Sequence, residues 1–198
     1  MRNRPRHSPR ARLLLTLAAL GSLLVGYYLG QHWQRQPLEQ LSAVVFEDGQ
    51  PIELPSSLAL TAAVEQPPWR LFVAVDTQVE ACRSAIRRFG LMMNRLAAWP
   101  KIQPRLRVTL LAFDIPTSEQ AAAFAGGASW IDTVAATKPE LQGLASDLGI
   151  QPDNARWCTP TQLNSILVAP DSTRWALIPY EDPETMAYNV QAVIQFVD

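Results

Sequence analysis

Residues 70–100 read RLFVAVDTQVEACRSAIRRFGLMMNRLAAWP, and this stretch decides the fold. Its first seven residues, RLFVAVD, are a short apolar run rich in Val and Phe, behind Pro67-Pro68 and ahead of Thr77, which predicts a buried strand. Thr77-Gln-Val-Glu80 then has the form of a capping box, with Thr77 at the N-cap and Glu80 three residues on. Apolar residues follow at Val79, Cys82, Ile86, Phe89, Met93 and Leu96, in steps of three and four that make one buried stripe of a helix. Pro100 ends it. Arg83, Arg87, Arg88 and Arg95 fall on its solvated side.

A second strand, LRVTLLAFDI (106–115), follows the helix, so the unit is strand, long crossover, strand. Thr117-Ser-Glu-Gln120 caps a short helix to about Phe124, which Gly126-Gly127 stops. Thr137-Lys-Pro-Glu140 is a second capping box; its helix should bury Leu141, Leu144 and Leu148, with Gly149 in the C′ position. Residues 163–169 and 173–178 are two strands whose short Pro170-Asp171-Ser172 link predicts an antiparallel hairpin. Asp182-Pro183 opens a last helix with Met186, Val190, Val193 and Val197 inward. Upstream, VVFEDGQPIELP is read as a further hairpin turning at Asp48-Gly49. This order gives an α/β, thioredoxin-like domain with an N-terminal β-hairpin extension.

The N-terminus carries a different signal. Five arginines and no acid lie in residues 2–12, and residues 13–30, LLLTLAALGSLLVGYYLG, contain no charge. Eighteen helical residues span ~27 Å, about the hydrocarbon core of a bilayer. Tyr27, Tyr28 and Trp33 stand at the far end, where aromatic rings favour the interface. The reading is a cytoplasmic basic segment (1–12), one transmembrane anchor (13–30), a stalk (31–42) and an exported domain (43–198). The protein would be a single-pass protein of the bacterial inner membrane with its C-terminal domain periplasmic. A cleaved signal peptide is the rival, although the run is long for one and lacks a small-x-small site; a buried core helix is the third reading.

After position 35 there are 11 basic and 18 acidic side chains, a net −7. That balance argues against nucleic acid and anionic lipid as partners of the domain. The only histidines are His7 and His32, so residues 36–198 have no imidazole for acid–base work, nucleophile activation or a metal. Cys82 and Cys158 are the only thiols. No phosphate loop, paired-cysteine zinc motif or hydrolase triad is present.

Five segments, taken in order, resemble the Sco/SenC family of copper-binding cytochrome oxidase assembly proteins. They are FEDGQPIELP, RLFVAVD, LRVTLLAFDIP with Asp114 at the family's aspartate, FAGGASWIDTVAATKPELQGLASDLGI, and SILVAPDSTRWALIPYEDPETM. The resemblance covers roughly residues 44–197. It implies a thioredoxin-like domain on one N-terminal anchor, a membrane respiratory complex or its assembly factors as partner, and copper as the metal.

The family's functional motif is a Cys-x-x-x-Cys at the helix start and a histidine before the closing hairpin. Here only Cys82 can be carried over, as a metal ligand. Gln78 stands at the first cysteine's place, and the histidine's place falls at about Thr161 or Gln162. Pro160 stands where thioredoxins keep a proline beside the site. One thiol is a poor copper site, since tight sites need two or three converging S or N ligands. Cys82, about five residues past the expected cap and on the apolar stripe, reads as a packing cysteine, with a reactive thiol or a disulfide to Cys158 as alternatives. The expectation is that this pair misses the geometry of a disulfide.

Two functions stay open on this reading. The first is a binding protein rather than an enzyme, assisting oxidase assembly or maintenance with a degenerate site, no tight copper and no redox turnover. The second is an active thiol or copper protein using Cys82 and Cys158 as a redox pair. An accessory subunit of another membrane complex is a third.

Overall fold

The computed structural model describes residues 15–29, 41–55, 67–115, 117, 120, 123, 128–134, 136–150, 158 and 163–198. Residues 15–29 form a helix, α1, whose side chains are exposed. It falls in one compact unit and Leu41–Asp198 forms the other. Among the described residues no helix is long and apolar enough to cross a membrane. The expected span also takes in residues 13, 14 and 30, which lie outside them, as does most of the stalk.

The second unit is built on a six-stranded sheet in the order β1-β6-β5-β2-β3-β4. The strands are β1 (Val44–Pro51), β2 (Trp69–Val75), β3 (Leu106–Ala112), β4 (Ile131–Thr133), β5 (Asn164–Val168) and β6 (Thr173–Pro179). β2, β3 and β4 run parallel, while β5, β6 and β1 join antiparallel. Among the described residues, α2 (Glu80–Leu96), α3 (Lys138–Leu148) and α4 (Pro183–Val197) cover it.

Every residue of β2 is buried, because helices cover both faces of the sheet where it lies. On one face Trp69, Leu71, Val73 and Val75 pack with Phe89, Met92 and Leu96 of α2 and with Met186, Val190 and Val193 of α4. On the other, Phe72 packs with Leu111, Ile166 and with Leu141, Leu144 and Leu148 of α3. Arg70 is the charged exception, and Asp132 on β4 meets its guanidinium at 3.0 Å.

Local signals worked where local bonds satisfy them. α3 has the full capping box: the Thr137 side chain accepts from the Glu140 amide, and the Thr137 N–H donates to Glu140 Oε2 at 2.7 Å. It ends on Gly149 at φ +74°, the left-handed region glycine enters freely. Asp182 caps α4 through Oδ1, which accepts the amides of Glu184 and Thr185 at 3.0 Å. β5 and β6 pair as the expected antiparallel hairpin.

Three expectations are corrected. Asp48-Gly49 does not turn a hairpin: Val44–Pro51 is one strand against β6, with a shift of register between Val45 and Gln50. Gly49 serves close approach, since a Cβ there would meet the side chains of Thr173 and Trp175. The three-residue strand β4 was not foreseen. And α2 starts at Glu80, two residues later than the capping box at Thr77 predicts. The stripe is redrawn accordingly: Ala85 and Met92 are buried, Ile86 is half-buried and Val79 is exposed. The short helix expected over 117–124 lies largely outside the described residues.

Candidate functional site: the carboxyl ends of β2 and β3

β2 and β3 run parallel in register, Val75 opposite Ala112. Two residues further on, the same register sets Thr77 beside Asp114. The Thr77 amide donates to Asp114 Oδ1 at 3.0 Å, and its hydroxyl donates to Asp114 Oδ2. Thr77 is buried; Asp114 is half-buried. The amide that Thr77 would give to Glu80 in a capping box is therefore taken by a residue on the neighbouring strand's loop, and its hydroxyl hydrogen with it.

The segment after Thr77 turns instead of winding. Gln78 N–H donates to Asp76 Oδ1 at 2.9 Å, and Val79 N–H donates to the Asp76 carbonyl at 3.2 Å. Val79, in extended conformation, becomes the N-cap position without a side-chain cap. Arg83 ties the turn to the helix, its Nε donating to the Thr77 carbonyl at 3.0 Å. Glu80, released from the box, lies 3.6 Å from Arg83.

The late start moves Cys82 from the second turn of α2 to the third helical position. There it meets Cys158, and the two form a disulfide with Cα atoms 4.9 Å apart. This corrects the expectation that the pair misses the disulfide window of about 4.4–6.8 Å. The expectation started the helix after Thr77, which set Cys82 two positions deeper in α2 than it stands. Cys82 is fully buried and Cys158 nearly so. The amide of Asp76 points at Cys82 Sγ from 3.4 Å. Cys158 has φ +64°, a left-handed conformation costly for a residue with a Cβ.

The other expected site residues divide. Gln78 is exposed on the turn, one residue before the helix N-cap. Asp114 is at the site, as the partner of Thr77. Pro160 and Thr161 lie outside the described residues. Thr77 and Asp76 were missed as site residues, although the parallel register of β2 and β3 is the signal that would have found them.

Chemically, the arrangement is a buried disulfide at the first turn of a helix, beyond the carboxyl ends of parallel strands where the strand order reverses, a common place for function in α/β sheets. Among the described residues no group of three or more His, Cys, Asp and Glu converges. As a donor set for copper, the oxidised pair offers no thiolate. The reduced pair would offer two soft sulfurs, which suit Cu(I).

Comparison with known proteins sets this geometry in context. No protein-family model matches the chain, and no curated protein matches it. Solved structures do. Arabidopsis thaliana ScoI with copper bound superposes with a TM-score of 0.52 at 10% identity, covering 66% of this chain and 86% of that one. The apo Sco1 protein from Thermus thermophilus gives 0.52 at 15% identity, covering 79% and 97%. The domain has the fold of the Sco proteins.

Proposed function

We propose that this chain is a membrane-anchored, exported Sco/SenC-type protein that assists assembly or maintenance of a respiratory cytochrome oxidase, with the Cys82–Cys158 pair as its chemical centre. One observation carries the choice between the open functions. The only two thiols of the domain, far apart in sequence, meet at the first turn of α2. That favours the thiol reading over binding alone. The fold supports the family, and the uncharged run at 13–30 behind a basic N-terminus supports the anchor.

The exchange is simple to balance. A thiolate of a partner dithiol attacks one sulfur of the Cys82–Cys158 disulfide, forming a mixed disulfide and releasing the other sulfur as thiolate. The partner's second thiol then closes the partner's own disulfide. Two electrons pass to this pair, which ends as two thiols, and the partner is oxidised. The reduced pair would hold Cu(I) through both sulfurs, copper supplying a soft ion to be passed on.

The test uses the full chain in its native membrane. In a strain lacking the protein, oxidase activity should fall, and the wild-type gene should restore it. Cys82→Ser and Cys158→Ser should each fail to restore it. Purified protein should take up Cu(I) only after reduction, at one ion per chain, and neither serine variant should. Full restoration by the double serine variant would sink the thiol reading and leave the binding function.

A further inference from the structure

The chain contains two sequences of the same form, Thr77-Gln-Val-Glu80 and Thr137-Lys-Pro-Glu140. At the second, Thr137 gives its amide and hydroxyl to Glu140 and the helix starts at Lys138. At the first, Thr77 gives the same two groups to Asp114, and the helix starts two residues late. Both places carry the Thr-x-x-Glu signal, which Pro139 strengthens at the second; the first differs also in the carboxylate that the β2–β3 register delivers to Thr77.

We propose that Asp114 is a positioning residue that selects the start of α2: by taking both polar hydrogens of Thr77 it displaces Glu80 from the capping box and keeps Cys82 in the first helical turn, opposite Cys158. The inference builds on the proposed role of the Cys82–Cys158 pair, but its structural arm does not depend on it. Two N-terminal solutions compete for one segment. In one, Thr77 is the N-cap, residues 78–80 are helical and Cys82 is the fifth helical residue. In the other, found here, Val79 is the N-cap and Cys82 is the third. Each residue added to the helix takes up 1.5 Å of axis and turns the chain by 100°. Thr77 is only two residues beyond the end of β2, so winding residues 78 and 79 re-aims α2's first turn relative to the sheet. A disulfide tolerates little such movement. The charged groups around the turn are Asp76, Glu80, Arg83 and Asp114. Of these, Asp76 holds the Gln78 amide and Arg83 the Thr77 carbonyl, contacts that belong to the late start.

The test is a mutant cycle on the full chain in detergent micelles, with two readouts. Amide hydrogen exchange at Glu80 and Ala81 reports the helix start, because a cap at Thr77 would bond these amides. The equilibrium of the Cys82–Cys158 disulfide with glutathione reports the consequence. Asp114→Ala should raise protection at Glu80 and Ala81, and shift the disulfide about tenfold toward the reduced form, ~30 mV. Thr77→Val in the Asp114→Ala background removes the competing cap, so it should undo both changes. A merely structural Asp114 predicts the opposite, with the double variant at least as impaired as the single. If Asp114→Ala does not fold, Asp114→Asn, which keeps one acceptor oxygen, should move both readouts the same way by less. Unchanged protection in the Asp114 variants, or a double variant worse than Asp114→Ala, overturns the proposal. Failure of the wild-type disulfide to exchange with glutathione in folded protein would instead count against the redox function, with the exchange at Glu80 and Ala81 still deciding the role of Asp114.

Discussion

Cys82 and Cys158 hold their Cα atoms 4.9 Å apart across 76 positions of sequence, joining the first turn of α2 to the segment ahead of β5. A link closing so long a loop removes much conformational freedom from the unfolded chain. On the chain-entropy account it is worth about 4 kcal/mol. Reduction, or Cys158→Ser, should therefore lower the urea midpoint of the domain by that much stability, with little change in the native fold. Cys82→Ser should lose more, since it also puts a hydroxyl at a fully buried position. Urea titrations with and without reductant measure the difference. A loss under 1 kcal/mol would mean that the unfolded chain gains little from release.

Acid should weaken the domain through two helix caps. Asp182 accepts the Thr185 hydroxyl and the amides of Thr185 and Glu184, which lowers its pKa from the ordinary 3.8. The hydroxyl and amide of Thr137 lower that of Glu140 from 4.5. Both carboxylates hold protons less tightly folded than unfolded. Their contribution is present above the ordinary values and is lost as pH falls through the depressed ones. Thermal melts between pH 6 and about 3 should show falling stability, and Asp182→Asn with Glu140→Gln should flatten the slope below pH 4.5. An unchanged slope would remove the caps as its cause.

Two glycines of the same helical segment should respond to alanine with opposite signs. Gly143 lies inside α3, and a Cβ there would touch nothing within 4 Å. Gly143→Ala should stabilise by about 0.5–1 kcal/mol, through the freedom that glycine gives the unfolded chain. Gly149 has φ +74°, and its Cβ would press on the Arg174 guanidinium at 2.9 Å. Gly149→Ala should destabilise by about 1–2 kcal/mol. Denaturant unfolding of the two variants checks both signs.

The sequence was most legible where one element contains its own reasons. The Thr137 box with Gly149, the 164–179 hairpin and the Asp182 cap each close their bonds locally, the run RLFVAVD carries its burial in its own composition, and each stands as expected. What was misread depends on partners far along the chain. Asp48-Gly49 carries a turn signal, but pairing with β6 draws it into a strand whose glycine admits Trp175. Thr77 carries a cap signal, but Asp114, 37 residues on, outcompetes Glu80. That single reassignment hid the candidate site, because it placed Cys82 two positions deeper in the helix than it stands. The segment around Pro160 and Thr161 lies outside the described residues, so the family's histidine position has no structural counterpart among them.

The last prediction concerns the N-terminal segment. Residues 13–30 carry no charge, and the described helix over 15–29 exposes Leu15, Leu17, Leu20, Leu23 and Leu24. A helix with leucines on all sides has no polar face for water, and lipid is the solvent that suits it. The basic residues 2–12 should hold the N-terminus in the cytoplasm, and Tyr27, Tyr28 and Trp33 should mark the opposite interface. A periplasm-dependent reporter fused after Asp198 should then be active, and a cytoplasm-dependent one silent. The protein should stay with the membrane after carbonate washing and keep its own N-terminus. Placing two arginines in the middle of the run, at Leu20 and Leu23, should release it from the membrane or block export, because each charged side chain there costs ~2.5–3.5 kcal/mol on the insertion scale. A mature protein whose N-terminus begins beyond residue 25 would show a cleaved signal and remove the anchor from the proposed function.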